Sequence, residues 1–183
     1  APEPFKGRRV SPAVMHYTGP GERADKTLLV CFSVKGNRSL SIALAPFLQH
    51  LDARQYDVLI VADLWATAFR SGVPFLGADI HEVVRSVADL AFLRDYARIR
   101  ATGCSAGVYP AMLTGRYLGA ELTVGFNGRF PSERHLATLI GMYFNCWRSA
   151  RRNREARVLL IHAMNTRRDA AFARRLGRLT GTS

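Results

Sequence analysis

Five short apolar runs recur along this chain, and stretches with helical spacing separate them. The runs are 27–33 (TLLVCFS), 56–62 (YDVLIVA), 97–102 (ARIRAT), 121–126 (ELTVGF) and 157–162 (RVLLIH). Most are continuous rather than alternating, the pattern of strands covered on both faces. The third is interrupted by Arg98 and Arg100 and is read as a strand partly from its context. Segment 39–51 carries Leu40, Leu44, Phe47, Leu48 and Leu51 on one stripe, and 79–93 carries Ile80, Val83, Val84, Val87 and Leu90. Further helices are expected over 107–118, 133–148 and 169–179. Strands alternating with helices of this length predict right-handed βαβ units around a mostly parallel sheet: an α/β fold of three layers, helices on both faces. Ahead of the first run, "RRVSPAVMHYTGPGE" can supply an edge strand ending at the Gly19-Pro20-Gly21 turn.

Nothing in the remainder calls for a second domain; 183 residues suffice for one real core. No apolar run approaches the roughly 18–20 residues that span a bilayer. The start, "APEPFKGRRV", lacks both an initiator Met and a basic-then-apolar leader pattern, and so reads as a processed or excised segment. The cysteines, Cys31, Cys104 and Cys146, are odd in number and far apart. That spacing argues against a disulfide scaffold or a zinc site and points to a reducing, cytoplasmic compartment. Phosphate-cradling glycine motifs are missing after the strands, so no nucleotide, cofactor or metal is expected. Asp57 and Asp63 stand near the two ends of the second run; a hydrogen-bonding role for Asp63 at a pocket rim is the simpler reading than a metal.

The net charge of +12 comes largely from arginines in 148–178. Without an aromatic-interleaved basic platform they read as solvated helix faces, and nucleic-acid binding is disfavoured. An anionic partner for this C-terminal third, a charged substrate or another protein subunit, stays open.

One motif carries chemistry. Gly103-Cys104-Ser105-Ala106-Gly107 is a G-x-S-x-G lying between the third run and a helix-forming segment. A strand-turn-helix frame is what this motif needs to lift a serine hydroxyl above the carboxyl end of a sheet. Ser105 is then a nucleophile candidate, with the Ala106 N–H as one oxyanion donor; a purely structural small-residue turn is the competing reading. Cys104 occupies the second elbow position, whose side chain turns back into the core. The aromatic cluster at 142–147 (MYFNCW) is read as core, or as the lining of an acyl pocket.

With these residues the chain resembles the α/β-hydrolase superfamily, and compact bacterial hydrolase-like proteins within it. The resemblance rests on "LLVCFSVKGN", "YDVLIVADLW", "RIRATGCSAGVYPAMLTGRYLGAELTVGFNG" and "ARVLLIHAMNTRRDAAFARRL". It implies one α/β-hydrolase-like domain over 1–183, Ser105 as nucleophile, Ala106 and Val34 as oxyanion-hole amides, and Asp169 as the acid. Asp169 lies farther from its strand than the family's acid does, and capping the last helix is an equal alternative. The family places its histidine after the acid, yet no histidine follows Asp169. His162, at the end of a strand, is the one candidate base; His16, His50, His81 and His135 have no placement that favours them. Either this segment stops short of the family's histidine or the triad is incomplete. The implied activity is hydrolysis or acyl transfer on a small-molecule ester or thioester through Ser105. The competing reading is a non-catalytic module of the same fold that binds an anionic ligand or a protein partner.

Overall fold

The computed structural model describes residues 4–33, 38–39, 42–128, 157–161 and 174. The helix expected over 133–148, the aromatic cluster at 142–147, and all of the helix expected over 169–179 except position 174 lie outside them. The chain opens with a hairpin, β1 (Lys6–Ser11) and β2 (Val14–Thr18), turning at Pro12-Ala13. Thus the expected single edge strand is a pair. β3 (Thr27–Ser33) follows, then a two-residue ladder of β4 (Arg38–Ser39) and β5 (Ile42–Ala43), α1 (Leu44–Gln49) and β6 (Tyr56–Ala62). Next come α2 (Ile80–Ala88), β7 (Arg98–Cys104), α3 (Val108–Leu118), β8 (Leu122–Phe126) and β9 (Arg157–Ile161).

Two helices are shorter than their apolar stripes suggest. The stripe over 39–51 yields a helix only from Leu44. Pro46 is then its third residue, where no N–H is needed; a start at 39 would have put the proline past the second turn and cost a hydrogen bond. The stripe over 79–93 stops at Ala88, and Leu90 turns into extended backbone (ψ 114°) before a short 3-10 turn at Ala91–Asp95. That turn lets Leu93 bury with Leu90 and Phe92 packed alongside.

The sheet runs β1-β2-β6-β3-β7-β8-β9; β2 pairs antiparallel with both its neighbours, β1 and β6, and the other pairs are parallel. Side chains alternate across it, as strand geometry requires. Leu28, Val30 and Phe32 join Val83 and Val87 of α2 and Ala111 of α3 on one face. Cys31, Val58 and Ile60 join Phe47 of α1 on the other. The three layers are therefore sheet plus helices on both sides. Arg98 and Arg100, which interrupt the pattern of β7, lie toward its start and find polar partners: the Asp25 carbonyl for Arg98, Glu121 and the Tyr56 hydroxyl for Arg100.

From β3 the chain moves one way to β6; from β7 it moves the opposite way to β8 and β9. The crevice outside the carboxyl ends of β3 and β7 is a topological switch point, where open α/β sheets bind ligands.

Candidate active site

β7 delivers the motif to that crevice. Its last residue is Cys104; Ser105–Gly107 form one tight turn, and α3 starts at Val108. Ser105 sits at φ +54°, the left-handed region that a non-glycine residue enters at a cost of about 1–2 kcal/mol. The two glycines of the motif are required by space. A Cβ on Gly103 would lie 2.0 Å from the Gly107 carbonyl oxygen, and one on Gly107 would lie 2.4 Å from the Phe32 carbonyl oxygen. Turn, β3 and β7 therefore touch backbone to backbone, and the strained serine is held from both sides.

α3 behind the turn is buried along its whole first part, Val108 through Arg116, and is capped at its far end by Gly119 (φ +66°). A helix buried this fully, Thr114 and Arg116 included, is a core helix, so the elbow stands on a rigid support. Pro110, third in the helix, removes an N–H that would have had no partner in the first turn. Ser105 and Ala106 are half-buried at the head of this helix, where main-chain N–H groups lack acceptors within the helix and favour negative charge. Among the described residues, no side chain hydrogen-bonds the Ser105 hydroxyl.

Strand register sets what lies beside the elbow. Phe32 is level with Gly103, so Ser33, the last residue of β3, ends next to Cys104. Cys104 is level with Phe126, and Phe126 with Ile161. The residues preceding Val34, Ser105 and His162 thus come to one edge of the sheet, across three neighbouring strand pairs. Val34, His162 and Asp169 themselves lie outside the described residues.

On the other flank of β3, β6 ends level with Ser33 at Ala62, and Asp63 follows. Asp63 is buried; its N–H donates to the Ser33 carbonyl (2.9 Å) and its Oδ2 accepts from the Phe69 N–H (3.0 Å). Among the described residues its buried Oδ1 has no hydrogen-bond partner. Asp63 is a hydrogen-bonding residue: it ties β6 to β3 and to the loop beyond.

A second polar assembly occupies the opposite end of the sheet, and sequence reasoning missed it. Lys26, just ahead of β3, and Asp57, second in β6, form an ion pair at 2.7 Å with both side chains almost wholly buried. Asp57 Oδ1 also accepts from the Gly19 N–H (2.9 Å), and Oδ2 accepts from the Tyr96 hydroxyl (2.6 Å). His16 Nε2 lies 3.1 Å from the same hydroxyl oxygen. Since Tyr96 gives its proton to Asp57, His16 must donate through Nε2–H, which fixes its neutral tautomer. Its ring stacks on Phe92 at 4.5 Å, and the Arg23 guanidinium lies over the Phe92 ring, 5.7 Å from its centroid. Burial lowers the His16 pKa to about 4, against the opposing pull of Asp57; Arg23, Arg8 and Lys26 add to the depression. Burial, and then the hydrogen bond to Asp57, push the Tyr96 hydroxyl well above its ordinary range. The one legible signal was an unexplained acid, Asp57, inside an apolar run.

No protein-family model matches the sequence, and no curated protein is similar to it. Solved structures are similar in shape. The fluorophosphonate-binding serine hydrolase F of Staphylococcus aureus aligns over 98% of this chain and 88% of its own, with TM-score 0.64 and 12% identity. A structure from work on carboxylesterases of the thaumarchaeon Nitrososphaera gargenis aligns over 97% and 86%, with TM-score 0.59 and 11% identity. An alpha/beta hydrolase enzyme from a lagoon-sediment metagenome (Mar Chica, Morocco) aligns over 97% and 84%, with TM-score 0.57 and 13% identity. Of the longer acylaminoacyl peptidase of Pyrococcus horikoshii, the chain spans 36%. Among the described residues, no helix is long and apolar enough to cross a membrane.

Proposed function

Taking as premise that this chain has the α/β-hydrolase fold, we propose that it is a serine hydrolase acting on a small-molecule ester or thioester. The observation that carries the reading is Ser105 at φ +54° between two glycines that admit no side chain, at the switch point of the sheet. Strain of this kind persists only where the surroundings enforce it, and it is concentrated at reactive sites.

In the proposed reaction the Ser105 oxygen adds to the substrate carbonyl while its proton passes to a general base. The Ala106 N–H, at the head of α3, stabilises the oxyanion, and Val34 supplies the second donor. Collapse expels the alcohol or thiol, which takes up that proton and leaves an acyl-serine. Water then adds to the acyl carbon, releasing the carboxylic acid and the free serine. His162 is the proposed base and Asp169 its orienting acid; the strand register that brings Ile161 into line with Cys104 supports the former.

A fluorophosphonate probe tests the reading directly. The folded protein should be labelled at Ser105, with labelling abolished in Ser105→Ala and strongly slowed in His162→Ala. Absence of the Ser105 adduct in folded protein overturns it.

A further inference from the structure

The segment between β6 and α2 concentrates backbone strain as no other described stretch does. Ala66, Ala68, Phe69 and Phe75 all have φ between +52° and +68°. A bulky buried residue such as Phe69 in the left-handed region is a genuine outlier. The strain is held by anchors at both ends. Asp63 receives the Phe69 N–H, and the Phe69 ring packs edge-on against Phe32, 5.6 Å between centroids. Farther along, Val73 and Gly77 exchange main-chain hydrogen bonds, and the Ser86 hydroxyl donates to the Leu76 carbonyl.

A loop stiffened this way cannot fold its exposed apolar residues inward. Leu64 and Trp65, the first residues after the Asp63 anchor, remain 46% and 56% exposed. Register places their anchor near the elbow: with Phe32 level with both Val61 and Gly103, Asp63 stands at the height of Ser105, one strand on the other side of β3. Two strand spacings separate the positions, about 10 Å. Trp presents a large apolar face at low entropic cost, the property of a binding wall rather than of an ordinary surface residue.

Resting on the hydrolase reading above, we propose that Leu64 and Trp65 form the apolar wall that selects the acyl group, favouring medium-length acyl chains over acetyl. An acetyl group on Ser105 is too short to cross the width of β3 to the indole. A longer chain lies across the end of β3 and exchanges water for that face. The loop's strain keeps the wall in place before substrate arrives, so no ordering is needed on binding.

The test compares hydrolysis of p-nitrophenyl acetate and p-nitrophenyl octanoate. The parent protein should prefer octanoate in kcat/KM. Trp65→Ala should lower kcat/KM for octanoate about tenfold and leave acetate unchanged, while Trp65→Phe keeps the preference. Equal losses on both esters, or an unchanged ratio, overturn the wall. A second measurement does not depend on turnover. Octanoate, titrated into Ser105→Ala, should change the Trp65 fluorescence, acetate should not, and the added change Trp65→Phe should remove the response. Loss of the Ser105 fluorophosphonate adduct with an intact octanoate response would sink the hydrolase reading and keep the wall; the adduct without the response would do the reverse.

Discussion

The carbonyl of Phe32 and the bare Cα of Gly107 meet so closely that a Cβ on Gly107 would lie 2.4 Å from the carbonyl oxygen. Gly107 has an ordinary φ of −72°, so the constraint there is purely steric. Gly107→Ala should therefore destabilise the fold by about 2–3 kcal/mol, as overpacking a rigid site does. Urea unfolding measures it, and a cost below experimental error would show that the turn can move away from β3.

The neighbouring serine makes the opposite prediction. At φ +54° Ser105 carries backbone strain that glycine does not. Ser105→Gly should be more stable than Ser105→Ala by about 1 kcal/mol, with both unreactive toward the probe. Equal melting of the two variants would mean that the turn relaxes once the hydroxyl is gone.

His16 links stability to pH. Its folded pKa, about 4, lies below the ordinary 6.5, so between these values the unfolded chain binds the proton first. The contribution is complete above pH 6.5 and is lost as pH falls toward 4, by on the order of 3 kcal/mol. Other acids titrate in the same window, so the informative quantity is the difference between the parent and His16→Gln. That difference should change by this amount between pH 7 and pH 4.5; a constant offset would refute the assignment.

Lys26 and Asp57 should behave as a coupled pair. Lys26→Met leaves a buried carboxylate held only by Gly19 and Tyr96, and should cost about 3–5 kcal/mol. Adding Asp57→Asn removes the stranded charge and should recover part of the loss. Additive losses in the double-mutant cycle would show the ion pair to be incidental.

The helix α2 gives a smaller effect. Asp79 accepts from the N–H groups of His81 (2.7 Å) and Glu82 (2.9 Å), and Glu82 reaches back to the Ala78 N–H. Asp79→Ala should lower stability by about 1 kcal/mol, read from the urea midpoint at unchanged m-value.

Much of this architecture could be read before the structure. β3 and β6 occupy the apolar runs 27–33 and 56–62 residue for residue, because strands buried on both faces need unbroken apolar sequence. The elbow was legible for a related reason: close backbone contact demands glycine, and only a few residues can take a left-handed turn. Interactions between residues distant in sequence were not legible. His16, Lys26, Asp57 and Tyr96 share no spacing and sit on four separate segments; only the ordering of the strands joins them. Likewise Trp65 reads in the chain as one more aromatic after a strand. The Asp63 anchor just before it, and a register that sets that anchor level with Ser105, are what give it the place in the proposed wall. Local patterns decide which segments become strands, helices and tight turns, since those depend on neighbours a few residues away. The pairing of the strands decides which side chains meet, since that is settled by burying the two faces of one sheet at once.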